Sequence, residues 1–190
     1  MRFVLASSSP RRLELLQLIG IGPLVVVPQA DESVKRGENP VDFIHRVTIA
    51  KGESVIRDDF FQDVVISADT LVLCRDQVIG KPRDRQQAFE ILRLLSATRH
   101  EVWTGLALFY QGKTYYDRAV SYVYFSAISD REIDFYLDNE AFMDKAGAYG
   151  IQGKASVFVR QIEGCYFNIM GFPLNLFYTM LKTIGIGLYH

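Results

Sequence analysis

The 190-residue chain has only two cysteines and three histidines. Two cysteines make no disulfide framework, so Cys74 and Cys165, each among apolar neighbours, are expected as reduced, buried thiols. The histidines, His45, His100 and His190, stand far apart in the sequence. Without an H-E-x-x-H pair or a Cys/His cluster, a zinc site has no support. Long hydrophobic runs are also lacking. The longest, Leu18 to Val27, is interrupted by Gly20, Gly22 and Pro23 and is too short to span a bilayer. Phe3 to Ala6 is too short for the apolar core of a secretory signal, so a soluble, cytoplasmic protein without membrane partners is expected. Neither sign of charge dominates: 21 Lys and Arg against 22 Asp and Glu leave −1. That balance speaks against a protein that wraps a nucleic-acid polymer and leaves a local anion pocket open.

Several catalytic signatures are missing as well. No G-x-S-x-G elbow is present. Gly80-Lys81-Pro82 is not a Walker A loop, because no glycine stands where the first belongs and Pro82 replaces the Ser/Thr. Gly20-Ile21-Gly22 fails the dinucleotide fingerprint at Val25. The chain shows no internal repeat, low-complexity tract or linker, and residues 1–190 are expected to form one domain.

What is present is enough apolar matter for a core, at 49% hydrophobic and 13% aromatic residues. The pattern predicts a strand from Arg2 to Ala6, then a helix capped by Ser9 with Pro10 at its first position and Gly20 as its stop. Leu24 to Val27 reads as a second buried strand, and a helix runs from about Pro40 to Arg57. Val64 to Ala68 reads as a central strand, continued by Leu71 to Cys74 after a charged interruption. Asp84 to Leu95 is helical, with Asp84 and Gln87 placed as a capping box. Val102 to Tyr110 and Thr114 to Phe125 form a hairpin, Ser129 and Glu132 open another capped helix, Ser156 to Ile162 is a strand, and a last helix starts near Pro173. Alternating strands and helices with one inserted hairpin define an α/β class with a mixed sheet.

Asp69 is the only charge between Asp63 and Arg75. A carboxylate buried there needs a cation, a metal or a solvent-facing cleft, and ligands of α/β sheets gather beyond the carboxyl ends of strands, where Asp69 would fall. The plainer alternative is an aspartate that turns the chain between two strands. Lys51 falls on the inward stripe of its helix with Val41, Ile44, Thr48 and Val55, where it either snorkels outward or points at an anion. Ser7-Ser8-Ser9-Pro10-Arg11-Arg12 joins a strand end to a helix start, a place that favours anions, although an ordinary capped helix with solvated arginines reads the same way. Asp144 to Gly153 is glycine-dense, which suits either a loop that approaches a ligand or a flexible connector; in it, Gln152 offers an amide for an imide or amide edge. Carboxylates at Glu32 and Asp69 with cations at Arg11, Arg12, Lys51 and Lys81 make a set suited to a hard metal and a polyphosphate.

Taken together, Leu5-Ala6-Ser7-Ser8-Ser9-Pro10-Arg11-Arg12, Ala50-Lys51, Ala68-Asp69-Thr70, Gly80-Lys81-Pro82, His100 to Gly105, Asp144 to Gly153 and Gly171-Phe172-Pro173-Leu174 resemble the Maf family of nucleoside triphosphate pyrophosphatases. The resemblance implies an elongated, two-lobed α/β fold like that of the ITPases, with a mixed twisted sheet, flanking helices and a central cleft. It also implies a homodimer and cleavage of a nucleoside triphosphate to monophosphate and pyrophosphate with Mg²⁺ or Mn²⁺. Asp69 would be the catalytic carboxylate and Glu32 its metal-binding companion, with Ser7, Arg11, Lys51 and Lys81 on the phosphates. Arg12, Thr70 and Gln152 resemble the dTTP/UTP branch. A house-cleaning role on modified nucleotides or 7-methyl-GTP, and a non-enzymatic role in septum formation, are the alternatives. Three positions depart from the family: Ala97 stands where glycine is usual, Cys165 where serine is, and Phe172 where leucine is.

Overall fold

The computed structural model describes residues 1–188, so His190 lies outside the described residues. Its strands are β1 (Phe3–Ala6), β2 (Leu24–Val26), β3 (Val64–Cys74), β4 (Gln77–Ile79), β5 (Arg99–Tyr110), β6 (Lys113–Phe125) and β7 (Val159–Glu163). The helices are α1 (Pro10–Leu18), α2 (Pro40–Glu53), α3 (Arg85–Leu95), α4 (Asp130–Asn139), α5 (Tyr166–Ile169) and α6 (Leu174–Thr183). One mixed sheet runs in the order β2-β1-β3-β5-β6-β7, with β4 on β3. β1 is parallel to both β2 and β3, whereas β3–β4 and β6–β7 are antiparallel. The expected mixed α/β class is the observed one. By contact pattern the chain divides into two units, one of residues 1–69, 104–119 and 171 onward, the other of 70–103 and 120–170.

In the first unit the period-2 alternation of β1 sets two faces. Phe3 meets Phe177 of α6 edge-on, while Val4 and Ala6 enter a cluster with Val55, Phe60, Val65, Ala107 and Phe109. α2 starts at Asn39, whose side chain accepts from the Asp42 amide, with Pro40 at its first position. Its inward stripe holds Ile44, Thr48 and Lys51 as expected, but Val41 is exposed, because it sits in the first turn before the helix reaches the sheet. α2 ends at Glu53, short of Arg57, where Ser54 closes back on Ala50 and Val55 tightens onto Gly52; a 3-10 turn follows at Asp58–Phe60. Two glycines let α2 lie close on the sheet. A Cβ on Gly52 would stand 1.9 Å from the Phe109 ring, and one on Gly105 would stand 2.5 Å from Thr48 Oγ1.

Two expectations for this unit need correction. β2 is not buried: Leu24 and Val25 are exposed, as is Val27 just past its end, because β2 is the last strand of the sheet. β3 is not interrupted at Asp69 but runs unbroken for 11 residues, since a cation on α2 meets that carboxylate.

In the second unit, Arg75 and Asp76 turn β3 into β4 with φ of 51° and 63°, the paired positive values that a two-residue hairpin requires. α4 carries the full reciprocal capping box of Ser129 and Glu132. α3 carries half of one: Asp84 caps the Gln87 amide, but the Gln87 side chain turns to the Arg83 amide. The proposed strand at Ser156 starts late, at Val159, because Lys154–Phe158 winds as a 3-10 turn anchored by Ser156 N on Gly153 O. Cys74 is buried and free as expected, whereas the free Cys165 is only partly buried. No helix among the described residues is long and apolar enough to cross a membrane.

Candidate functional site

Strand alternation brings Val65, Ser67 and Asp69 of β3 to one face. Opposite them, α2 presents Thr48 and Lys51 at helical spacing, with Val55 just past its end. Ser67 Oγ donates to the Thr48 carbonyl at 2.7 Å, and Lys51 Nζ donates to Asp69 Oδ1 at 2.6 Å. The lysine therefore does not snorkel outward. It is buried, and it also meets Glu32 Oε1 at 3.0 Å from the loop before α2. Two carboxylates thus converge on one ammonium. Asp69 is largely buried, while the Glu32 side chain is 48% exposed and faces water.

Arg12 lies at the start of α1, but not as a solvated arginine. Its guanidinium is buried, donating from Nε to the Gly171 carbonyl at 2.9 Å and from Nη1 to Ser7 Oγ at 3.2 Å. Burial pulls it below its ordinary value; the charges of Asp69 and Glu32 work against that shift and Arg11 adds to it. Ser9 is the N-cap residue of α1, yet its side chain makes no cap bond. Ser7 is the serine that acts there, its Oγ accepting from the Ser9 amide at 3.1 Å. Arg11 follows, half-buried. One end of the first unit thus gathers Ser7, Arg12, Glu32, Lys51 and Asp69.

The remaining residues singled out in the sequence belong to the second unit. Thr70 is half-buried, and alternation points it to the face opposite Asp69. Lys81 is exposed, and the Gly80 carbonyl beside it accepts from the Gly147 amide at 3.2 Å. Gln152 is exposed in a turn closed by Gly153 N on Gly150 O. That segment is no flexible connector: Ala148, Tyr149 and Ile151 are all buried, and the Tyr149 hydroxyl lies 2.7 Å from His100 Nε2.

Three groups escaped the sequence reading. Arg46, on α2, binds the loop around Glu32. Tyr116 is pushed up to about 12, mainly by burial, with the Asp69 charge adding to it. Its hydroxyl and Thr48 Oγ1 are buried without a hydrogen-bond partner, both within 3.1 Å of where a Gly105 Cβ would stand. His100, read in the sequence only as an isolated histidine at the head of a family segment, anchors the Tyr149 turn. Only the neighbours that each side chain meets in space distinguish these residues from ordinary polar positions.

Asp69 and Glu32 give a hard, all-oxygen donor pair, and the described residues hold no group of three or more His, Cys, Asp or Glu side chains that could enclose an ion. Such a pair fits Mg²⁺ or Mn²⁺, cations that keep several waters and take further ligands from substrate phosphates.

A family model described as Maf-like protein matches residues 2–184. A dTTP/UTP pyrophosphatase from Syntrophomonas wolfei is 42% identical over 186 residues, spanning 97% of this chain and 98% of that protein. Another from Bacillus cytotoxicus is 38% identical over 191 residues, 100% and 98% of the two chains. The solved Ham1 protein of Staphylococcus aureus superposes with a TM-score of 0.52 at 12% identity, over 97% of this chain and 100% of that one, which bears on the fold alone.

Proposed function

The chain belongs to the Maf-like family, and from that premise we propose that it hydrolyses dTTP and UTP to the monophosphate and pyrophosphate by attack of water at the α-phosphorus. The observation that carries the reading is the Asp69–Lys51–Glu32 cluster, two carboxylates on one buried ammonium, set beside the buried Arg12. Asp69 and Glu32 would hold the divalent cation, which when bound polarises phosphate oxygens and lowers the pKa of a coordinated water. Asp69, the buried member, accepts a hydrogen bond from the attacking water and fixes its direction. Lys51, with Arg11, offsets the negative charge that builds toward the pyrophosphate leaving group, and Lys81 is the further phosphate cation that the resemblance names. Ser7 and the start of α1 receive phosphate oxygens, and Arg12 holds Ser7 in place. Gln152 carries an amide that suits the N3–H and O4 edge of thymine or uracil, and Thr70 and Arg12 are the other positions that resemble the dTTP/UTP branch.

The test is pyrophosphate release from dTTP, UTP, CTP and 7-methyl-GTP, with Mg²⁺, with Mn²⁺ and with EDTA. Metal-dependent turnover that favours dTTP and UTP, and is abolished in Asp69→Asn, is the expected result. Near-wild-type turnover by Asp69→Asn, or preference for 7-methyl-GTP, would overturn it.

A further inference from the structure

Glu32 sits in the stretch between β2 and α2, with no helix or strand of its own to fix it. Its surroundings are nevertheless tied down by one side chain. Arg46, two turns into α2, donates from Nη1 to the Asp31 carbonyl at 3.0 Å and from Nη2 to the Ser33 carbonyl at 2.8 Å. Those carbonyls flank Glu32 on either side. The rest of the fork is held by Glu38, which accepts from Nε at 2.6 Å and from Nη2 at 2.8 Å. Glu38 in turn accepts from the Lys35 amide, and the Asp31 carboxylate from the amide and hydroxyl of Ser33. The Arg46 side chain is largely shielded, with Glu38 more so.

This arrangement suits arginine and no other residue. Reaching two main-chain carbonyls and a bidentate carboxylate at once takes a planar, rigid fork of donors; a lysine brings a single point charge on a flexible stem. Both ends of the device matter to the cluster, since Arg46 lies on the same helix as Lys51 and the Glu32 carboxylate ends 3.0 Å from Lys51 Nζ. The helix that carries the ammonium therefore also fixes the loop that carries its exposed carboxylate.

We propose that Arg46 is a positioning residue: it clamps the main chain on both sides of Glu32 so that this carboxylate is held beside Asp69 as the second ligand of a divalent cation. The proposal rests on the Glu32 role given above. Glu38 holds the guanidinium in the orientation the clamp needs and touches no ligand itself. Arg46 acts only through Glu32, so its loss and the loss of Glu32 must overlap in effect.

The experiment is a Mn²⁺ titration of the full chain followed by electron paramagnetic resonance, which reads the metal without turnover. Arg46→Lys should weaken Mn²⁺ binding about tenfold, the low end for loss of a group that orients a ligand, and Glu32→Gln, which alters the ligand itself, at least as much. The double variant should bind no more weakly than Glu32→Gln alone. Glu38→Gln keeps one acceptor oxygen, puts a donor in place of the other and loses the charge, and should fall between wild type and Arg46→Lys. Amide hydrogen exchange should speed up at residues 31–34 in Arg46→Lys while the core of β3 stays protected. Unchanged Mn²⁺ affinity in Arg46→Lys with the loop exchanging faster, or strictly additive losses in the double variant, would overturn the proposal. Should Arg46→Lys fail to fold, Glu38→Gln decides by the same readout. Failure of the wild type to hydrolyse any nucleoside triphosphate would strike the proposed activity and leave this measurement standing.

Discussion

Replacing Lys51 by methionine should destabilise the protein more than replacing Asp69 by asparagine, although the two form one ion pair. Lys51 Nζ stands 2.6 Å from Asp69 and 3.0 Å from Glu32, and the side chains are 7%, 11% and 48% exposed respectively. With an effective dielectric constant of about 20, the shorter pair carries about 6 kcal/mol of attraction, much of it cancelled by taking two ions out of water. What each substitution strands decides the net effect. Lys51→Met leaves Asp69 buried without its ammonium and sets Glu32 against it with like charge, a broken buried pair worth about 3–5 kcal/mol. Asp69→Asn leaves the ammonium with Glu32, which is wet enough to be a weak partner but spares the cation isolation, so about 1–3 kcal/mol is lost. The double variant removes both buried charges and should cost about 2 kcal/mol less than the sum. Urea denaturation at pH 7 with EDTA present, followed by circular dichroism and compared at equal m-values, measures all four corners of the cycle. Asp69→Asn proving as costly as Lys51→Met, or strict additivity, would refute the charge argument.

Gly105→Ala puts a Cβ 2.5 Å from Thr48 Oγ1 and 3.1 Å from the Tyr116 hydroxyl, an overpacking that should cost about 1–3 kcal/mol. Because Thr48 Oγ1 has no hydrogen-bond partner, Thr48→Ala should recover most of that loss in the double variant; urea midpoints showing no rescue would count against the reasoning. Ala97 adopts φ of +55°. Ala97→Gly relieves that strain at some cost in unfolded-chain entropy, for a net gain of about 0.5–1 kcal/mol and a melting temperature about 2 °C higher in scanning calorimetry; a lower one refutes it. Burial lowers His100 from 6.5 to about 4, so the unfolded chain takes up its proton first. That contribution is whole above pH 6.5 and is lost as pH falls through 4, a change of about 3 kcal/mol that His100→Gln should erase from the stability–pH curve; an equal slope in the variant refutes it.

Features decided over a few residues of chain were readable in advance. The capping box of Ser129 and Glu132, the proline start of α2 and the place of Lys51 on an inward helix stripe depend on contacts three or four residues apart, and each is where the pattern put it. The string of short segments from Leu5 to Leu174 likewise pointed to the family that the relatives share. Whether β2 would be buried was not readable, because an apolar run says nothing about being last in a sheet.

The site divides along the same line. The sequence by itself determined which charges stand among apolar neighbours: one carboxylate at Asp69, one lysine on an inward helix face, and arginines at a helix start. Only the tertiary structure decided that they neutralise one another. Lys51 and Asp69 are 18 residues apart, Arg12 reaches a carbonyl 159 residues away, and Arg46 clamps a loop that precedes its own helix. A charge in a strand reads as a break until its counter-ion is known. Here a lysine from α2 meets Asp69, so β3 continues straight through it.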